Sequence, residues 1–233
     1  MDTMTIDLTV DGKTVQTAVA RPDGDGPHPA VLVAIDGLGM RDYIHQVVAD
    51  LATAGYAAIS PDLFHGGDLD FTTLRDESVL KDMNAAIEHL QAQPFVRQHG
   101  FGITGFCMGG RITYLMCAVR PDVIRAGVVW YGGNIMVAKA DGDMPSPFGQ
   151  SASITAPILG LFGVEDSNPS PNDVKQIDAE LTRLGKAHEF HSFEGAGHGF
   201  HTSDRPDMFR PKVAEDGWGK CIAWFDKHVT GTS

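Results

Sequence analysis

This sequence contains few cysteines, and its basic residues are fewer than its acidic residues. The three cysteines, Cys107, Cys117 and Cys221, form no Cys-x-x-Cys pair, so neither a disulfide framework nor a cysteine metal site is expected. A reducing compartment fits this pattern best. The 18 lysines and arginines face 30 acidic residues, for a formal net charge of -12, and form no cluster. This argues against nucleic acid or an anionic membrane surface as the partner.

Long apolar runs and low-complexity tracts are also absent from the sequence. No apolar stretch is long enough to span a bilayer, and the opening residues Met1-Asp-Thr-Met-Thr-Ile-Asp lack the basic and apolar regions of a secretion signal. Hydrophobic residues make up 42% and charged residues 21%, a composition typical of globular proteins. We therefore expect a single domain over residues 1–233, a cytoplasmic location and, by default, a monomer.

Strand and helix patterns alternate along the chain and predict an α/β fold. Around Asp11-Gly12, residues 5–10 and 15–20 alternate between apolar and polar, which predicts an antiparallel hairpin. Further strands are predicted over 30–35, 56–60, 101–106, 125–131, 157–162 and 187–193, and helices over 42–54, 76–93, 172–184 and 212–229. This alternation predicts a mostly parallel, doubly wound sheet with helices on both faces. Residues 132–155 show little periodicity, so we expect a long functional loop there.

The most informative segment is Phe101-Gly-Ile-Thr-Gly-Phe-Cys-Met-Gly-Gly110, an apolar strand that ends in Gly-x-Cys-x-Gly and leads into a helical pattern. It is typical of a nucleophile elbow with cysteine in the usual serine position. Glycine is expected at Gly105 and Gly109 because a larger side chain would collide with neighbouring backbone. The N-terminus of the following helix would favour a thiolate at Cys107 and the anion formed when that thiolate attacks a carbonyl.

A nucleophilic cysteine needs a base, and the base needs a group that fixes its tautomer. In this architecture an acid follows a later strand and a histidine follows the last strand. Asp166 ends a strand in Gly-Val-Glu-Asp, and His198 lies in a Gly-Ala-Gly-His-Gly segment after the final strand. We therefore predict a triad of Cys107, His198 and Asp166. Glu165 and Asp173 stay open as alternative acids.

Backbone amides are expected to bind the oxyanion. One donor is the N–H of Met108, directly after the nucleophile, and the other is the N–H of Gly37, in the loop after the strand over 30–35. Each such donor is typically worth roughly 3 kcal/mol of the barrier, so the pair matters about as much as the base. The side chains predicted to line the substrate pocket are Leu38, His65, Tyr131 and Phe200.

Four sequence blocks, in the right order and spacing, resemble the dienelactone hydrolase family, the cysteine branch of the α/β-hydrolases. They are Gly-Phe-Cys-Met-Gly-Gly, Gly55-Tyr-Ala-Ala-Ile-Ser-Pro-Asp-Leu-Phe64, Trp130-Tyr-Gly-Gly and Ala196-Gly-His-Gly-Phe200. The resemblance implies an α/β-hydrolase fold without a separate cap domain. It also implies the family's chemistry, in which enol-lactones such as dienelactone are opened during the catabolism of aromatic compounds without metal or cofactor.

Two departures from the family pattern bear on the substrate. A family glutamate after the first parallel strand modulates the thiol, and Asp36, one methylene shorter, stands at that position. Members that act on dienelactone hold the substrate carboxylate with two arginines, and the matching positions here are Gly66 and Thr202. Arg205 or Arg210 could substitute from nearby, although the simpler inference is a different lactone or ester.

The sequence thus predicts a hydrolase that opens a lactone or cleaves a small carboxylic ester through a thioester acyl-enzyme. Two alternatives stay open. One is a broad short-chain carboxylesterase, and the other is a hydrolase fold that has lost catalysis and binds a small carbonyl compound or a partner protein. Fast alkylation of Cys107 near neutral pH would favour catalysis, because a merely structural thiol reacts slowly.

Overall fold

The computed structural model describes residues 2–139 and 144–231. Over these residues the strands are β1 (Met4–Val10), β2 (Lys13–Ala20), β3 (Ala30–Ala34), β4 (Ala57–Pro61), β5 (Phe101–Phe106), β6 (Ile124–Trp130), β7 (Ile158–Gly163) and β8 (His188–Phe193). The α helices are α1 (Asp42–Thr53), α2 (Asp76–Gln91), α3 (Met108–Val119), α4 (Pro171–Arg183) and α5 (Pro211–His228), and a 3-10 helix covers Phe148–Ser153. None of these described helices combines the length and the apolar character needed to cross a membrane.

The strands form one eight-stranded sheet in the order β1-β2-β4-β3-β5-β6-β7-β8. β2 pairs antiparallel with both β1 and β4, and every other neighbouring pair is parallel. Asp11 and Gly12 take positive φ values of 50° and 76° in the turn between β1 and β2, as a two-residue hairpin turn requires. The predicted opening hairpin and the mostly parallel sheet are therefore confirmed.

Every predicted strand and helix is present, with ends that differ by no more than two residues from those expected. The largest differences are at β2, which begins at Lys13, and at α2, which ends at Gln91. The loop predicted over 132–155 contains the 3-10 helix, and its residues 140–143 lie outside the described part of the chain. The single domain expected over 1–233 stays a prediction.

Helices cover both faces of the sheet at its central strand, β5. A Cβ on Gly102 would lie 2.8 Å from Cε1 of Phe225, so this residue faces α5. Gly105 lies three positions further along and therefore on the opposite face, where it meets Gly109 and Thr113 of α3. This leaves the carboxyl ends of the parallel strands for the loops that carry functional residues, as in other doubly wound sheets.

Candidate active site

Cys107 lies at the turn between β5 and α3, with φ of 56° and ψ of -114°. A residue other than glycine at positive φ is strained, and such strain is concentrated at functional sites. The N–H of Cys107 donates to Trp130 O at 3.0 Å, which fixes the turn against the end of β6. The side chain is partly buried and faces a cavity, so its sulfur is accessible to a small molecule.

The two glycines beside Cys107 allow close contact between backbone segments. A Cβ on Gly105 would lie 2.2 Å from Gly109 O, and a Cβ on Gly109 would lie 2.1 Å from Ala34 O. Neither gap admits a carbon atom, so the predicted need for glycine at both positions is confirmed. The second contact packs the first turn of α3 against the end of β3, which brings the segment after β3 close to Cys107.

His198 and Asp166 meet in the loops that follow β8 and β7. His198 Nδ1 lies 2.9 Å from Asp166 Oδ2, and the other carboxylate oxygen accepts the N–H of Asn168 at 2.8 Å. Asp166 is only 5% exposed, so its orientation is set by these partners rather than by water. The backbones of the two loops are also joined, because the N–H of Glu165 donates to Ala196 O at 2.9 Å.

The two alternative acids lie outside this arrangement. Asp173 caps α4, where its carboxylate accepts hydrogen bonds from the N–H and the hydroxyl of Ser170 at 2.9 Å and 2.8 Å. The side chain of Glu165 is exposed. Among the three candidate acids, Asp166 is therefore the one that contacts His198.

The surroundings of His198 favour a protonated imidazole. Burial alone would lower the pKa of His198, but hydrogen bonds to Asp166 and Cys107, together with the charges of both groups, raise it to about 10. An imidazole with this pKa carries a proton on each nitrogen at neutral pH. Nδ1–H then donates to Asp166, which leaves Nε2–H for Cys107.

Cys107, Asp166 and His198 all open into one cavity of about 300 Å³. Met108 lines the same cavity. The other lining residues are Phe71, Arg111, Gly133, Asn134, Lys139, Ser167 and Asn168. The volume lies at the lower end of the range for small-molecule sites, so the site suits a small ligand.

Two predicted oxyanion donors are backbone amides at the borders of this site. Met108 begins α3, and the amides of a first helical turn have no acceptor within the helix. In the segment after β3, the N–H of Leu38 donates to Asp36 Oδ1 at 2.9 Å and the N–H of Gly39 donates to Asp36 O at 3.2 Å. Because those two amides maintain the turn, the N–H of Gly37 is the candidate donor of this segment.

Asp36, the predicted thiol-modulating residue, lies just after β3, and its carboxylate is bound by Arg41. Arg41 Nη1 and Nη2 donate to its two oxygens at 2.6 Å and 2.9 Å, and Asp36 is 4% exposed. Arg41 Nε also donates to Asp204 Oδ2 at 2.6 Å. A planar guanidinium suits a carboxylate in this paired geometry better than a thiol does. Arg41 thereby joins the segment after β3 to the segment after His198.

Two of the four predicted pocket residues, Leu38 and His65, are not part of the cavity wall. Leu38 is 42% exposed and lies in the turn after β3. His65 is not part of the cavity wall, because its Nε2 lies 2.9 Å from Asp82 Oδ2 on α2. Asp82 is 1% exposed, and a carboxylate buried to that extent needs a partner. The imidazole of His65 supplies it.

Tyr131 and Phe200, the other two predicted pocket residues, belong to the core that supports His198. Both are fully buried and neither is part of the cavity wall. The Tyr131 ring meets the His198 ring edge-on at 5.2 Å between centroids, and Phe200 packs edge-on against Tyr131 at 5.0 Å. The Tyr131 hydroxyl lies 3.3 Å from Thr202 Oγ1. These aromatic contacts restrict the position of the imidazole.

Seven residues of the cavity wall were not named as site residues from the sequence, and Phe71, Arg111 and Lys139 are among them. Arg111 is 2% exposed and forms a paired ion bridge with the buried carboxylate of Asp76. Its position four residues after Cys107 is the signal that could have revealed it, because residues four apart share one face of a helix. Phe71 and Lys139 lie in loops, where no periodicity marks them.

Arg205 and Arg210, the proposed substitutes for the family's arginines, have partners outside the cavity. Arg205 Nε lies 3.5 Å from Asp207 Oδ1. Arg210 donates to the carbonyl oxygens of Gly195 and Phe209 at 3.2 Å and 3.1 Å. Neither arginine is part of the cavity wall.

Comparison with known proteins shows the family to which this chain belongs. The sequence model of the dienelactone hydrolase family matches residues 15–229. A provisionally assigned carboxymethylenebutenolidase of Methylorubrum extorquens is 34% identical over a match covering 90% of this chain and 75% of the relative. A provisionally assigned 2-oxo-3-(5-oxofuran-2-ylidene)propanoate lactonase of Bradyrhizobium sp is 33% identical over 97% of this chain and 94% of the relative.

A solved structure gives the same result for the fold. The crystal structure of a provisionally assigned dienelactone hydrolase of Klebsiella pneumoniae superposes with a TM-score of 0.87 at 29% identity, covering 97% of this chain and 100% of the other. The predicted α/β-hydrolase fold is therefore confirmed. Within residues 2–139 and 144–231, the strands all belong to one sheet and there is no separate cap domain.

Proposed function

The chain is a member of the dienelactone hydrolase family, and on that premise we propose that it hydrolyses a lactone or a small ester through Cys107, His198 and Asp166. One observation carries the proposal: His198 binds Asp166 and opens, together with Cys107, into a single cavity. The strained turn at Cys107 adds support. A nucleophile, a base and a group that orients the base are the parts that acyl transfer requires.

In the first half of the reaction, the Cys107 thiolate attacks the carbonyl carbon of the substrate. A C–S bond forms, and the carbonyl π electrons move to the oxygen, where the N–H groups of Met108 and Gly37 bind the resulting oxyanion. Collapse of this intermediate re-forms the C=O bond and breaks the C–O bond. The leaving alkoxide or enolate takes the Nε2 proton of the His198 imidazolium. In a lactone the leaving oxygen stays attached to the acyl group.

In the second half, water hydrolyses the thioester. Neutral His198 accepts one proton from the water as its oxygen adds to the carbonyl, and the same amides bind the new oxyanion. Collapse expels the Cys107 thiolate and releases the carboxylic acid, while the proton stays on His198 and restores the resting ion pair. Asp166 stays ionised and holds the imidazole in one tautomer. These steps use only water and groups of the chain.

A small carboxylic ester is the second candidate substrate, and one observation favours it. At the two positions where members that act on dienelactone carry arginine, this chain has Gly66 and Thr202. Thr202 is 3% exposed and lies within hydrogen-bond distance of Tyr131, so this position supplies no cation to the substrate.

The ratio of kcat/KM for dienelactone to that for p-nitrophenyl acetate separates the candidates. A ratio above about 100 identifies a lactone hydrolase, and a ratio near one identifies a carboxylesterase.

The partner of this hydrolase is a small molecule. Membership of a family of lactone hydrolases supports this, and the cavity volume is consistent with it. The monomeric state and the cytoplasmic location expected from the composition stay predictions.

Iodoacetamide at about pH 7 is expected to alkylate Cys107 and to abolish hydrolysis in parallel. Burial raises the pKa of the Cys117 thiol to about 12 and also raises the pKa of Cys221, so both core thiols stay protonated and enclosed. Peptide mass spectrometry, with activity followed in the same samples, measures both effects. Slow labelling of Cys107 would favour the alternative of a fold that binds a carbonyl compound or a partner protein without catalysis.

Replacing Arg41 with methionine is expected to lower kcat/KM about 10- to 100-fold. The buried carboxylate of Asp36 would lose the cation that neutralises it. The unpaired negative charge would then disfavour the thiolate at Cys107 and the oxyanion at Gly37, because like charges repel most strongly where water is excluded. Steady-state kinetics measures the loss, and thermal unfolding reports any change in stability.

The double variant Asp36→Asn, Arg41→Met is the matched control for this interpretation. It removes both charges together, so activity is expected to recover to within about tenfold of that of the unsubstituted protein. A double variant as slow as Arg41→Met alone would contradict the electrostatic explanation. The loss would then come from the contact between Arg41 and Asp204.

A further inference from the structure

Large hydrophobic side chains are exposed at few places in the described part of the chain. They are Met4 at 61%, Leu38 at 42%, Leu69 at 54%, Phe71 at 42% and Val137 at 54%. Met4 lies on β1, the edge strand farthest from β8. The other four, here named the apolar rim, come from three different loops that follow β3, β4 and β6. Single exposed apolar side chains are ordinary, whereas a group of them around one opening indicates a ligand.

Leu69 and Phe71 pack on the turn that contains the proposed oxyanion donor. A Cβ on Gly37 would lie 3.1 Å from Phe71 Cδ1, and a Cβ on Gly39 would lie 2.6 Å from Leu69 Cδ2. Leu38 lies between these two glycines, so three members of the rim come together at this turn. Phe71 also lines the cavity that contains Cys107.

The fourth member of the rim, Val137, belongs to the loop after β6 and lines a neighbouring cavity instead of the one that contains Cys107. Its carbonyl oxygen accepts a hydrogen bond from Arg111 Nη2 at 3.1 Å, and Arg111 lines the cavity. The same loop holds Phe71 in place, because Lys139 Nζ donates to Phe71 O at 2.6 Å. One hydrogen bond therefore joins the two loops, and both loops contribute residues to the cavity wall.

The leaving-group half and the acyl half of a bound ester would contact different walls of this cavity, one polar and one apolar. The leaving oxygen must reach Nε2 of His198, and the wall on that side continues into Ser167 and Asn168, which follow Asp166 and are polar. The acyl half must extend away from His198. The apolar lining available to it is Met108 and Phe71, and Leu69 packs on the same turn as Phe71.

We infer that the apolar rim is an acyl-binding subsite, and that the preferred substrates are esters or lactones whose acyl side carries an uncharged alkyl or aryl group longer than acetyl. This inference rests on the proposed function and adds the substrate class to it. The inner cavity of about 300 Å³ holds the reacting carbonyl and the leaving group. The acyl chain lies across Phe71 and Leu69 and removes their exposed apolar surface from water.

A series of p-nitrophenyl esters tests the inference, because it varies the acyl chain and keeps the leaving group constant. Full burial of one methylene strengthens binding by about fourfold. Because the rim stays about half-exposed, each methylene added to the acyl chain should raise kcat/KM by about twofold. We expect kcat/KM to rise about tenfold or more from acetate to hexanoate. A ratio of hexanoate to acetate at or below one would overturn the inference.

Variants of the rim connect the chain-length preference to particular residues. In Phe71→Ala and in Leu69→Ala, the ratio of kcat/KM for hexanoate to that for acetate is expected to fall to less than about a third of its value in the unsubstituted protein. Met4→Ala, which removes an equally exposed side chain on β1, is expected to leave the ratio unchanged. Thermal unfolding confirms that each variant is folded. A ratio that none of the rim variants changes would overturn the assignment.

The outcomes separate this inference from the proposed function. If Cys107→Ala removes hydrolysis of every ester in the series, the proposed function stands, whatever the chain-length preference. If Cys107→Ala hydrolyses these esters as fast as the unsubstituted protein, the proposed function fails and the preference has another origin. A Cys107-dependent hydrolase with no preference for longer acyl groups would overturn the inference alone.

Discussion

Replacing Cys107 with alanine is expected to lower kcat/KM for lactones and esters by at least about ten-thousand-fold. The substitution removes the sulfur that forms the acyl-enzyme, and nothing else at the turn between β5 and α3 can take its place. The amides of Met108 and Gly37 would remain, so a small residual rate above that in water is expected. Steady-state kinetics on p-nitrophenyl acetate, with the variant purified separately from the unsubstituted protein, measures the effect.

Cys117→Ala is the matched control for Cys107→Ala, because it removes a thiol from the core instead of from the cavity. Cys117 is fully buried on α3, and burial raises the pKa of its thiol to about 12. This variant should keep its activity within about threefold and lose at most about 1 kcal/mol of stability for the small cavity it creates. Activity above about a tenth of normal in Cys107→Ala would contradict the proposed nucleophile.

The positions of Cys107, His198 and Asp166 could be predicted because each follows from chain order and local backbone chemistry. An apolar strand before the cysteine and glycines on both sides of it favour the tight turn, and the structure shows why Gly105 and Gly109 admit no side chain. The acid and the histidine then had to follow later strands, because the carboxyl ends of parallel strands meet at one edge of the sheet. Their roles in catalysis stay predictions.

The partners of long polar side chains could not be predicted in this way. Arg41 lies five residues after Asp36, a spacing that is typical of neither a helix nor a strand contact. The bidentate ion pair between them depends on the conformation of the intervening turn. His65 was placed in the pocket because of its position after β4, yet the buried carboxylate of Asp82 on α2 competes for its imidazole. The partner of such a side chain depends on which buried charge nearby needs a counter-charge. Sequence alone does not show this, because helices and strands that are distant in sequence come together only in the folded protein.

The wall of the cavity was the least predictable part of the site. Tyr131 directly follows β6 and Phe200 lies two residues after His198, but their large aromatic rings fill the core behind the histidine. Phe71 and Lys139 come instead from two loops without periodicity, joined by one hydrogen bond. In a loop without regular structure, the sequence pattern is the same whether a side chain faces the cavity or the solvent. Hydrophobic patterning therefore does not distinguish the two outcomes.

Replacing Asp166 with asparagine is expected to lower kcat/KM at neutral pH by about a thousand- to ten-thousand-fold. Asparagine keeps the size of the side chain, and its carbonyl oxygen can still accept the N–H of Asn168, so the loop should keep its conformation. The charge that stabilises the imidazolium is lost, and the amide can also hold the ring of His198 in the wrong tautomer. Circular dichroism and thermal unfolding should resemble those of the unsubstituted protein.

The pH profile of this variant distinguishes loss of the charge from a change of fold. In the unsubstituted protein the pKa of His198 is raised to about 10, so the proton needed by the leaving group is present at neutral pH and is lost as the pH rises through about 10. We therefore expect kcat/KM to fall on the alkaline side near that value. In Asp166→Asn, the carboxylate charge that raises the pKa of His198 is gone, while burial still lowers that pKa. The alkaline limb of the pH profile should therefore move to lower pH by about one to three units.

Glu165→Gln is the control that tests the choice of acid, because it removes the neighbouring carboxylate from an exposed position. Activity and the alkaline limb should both be unchanged, since Asp166 alone of the two contacts His198. If Glu165→Gln moved the limb and Asp166→Asn did not, the assignment of Asp166 would be wrong. If neither variant moved it, the proton donated to the leaving group would not come from His198.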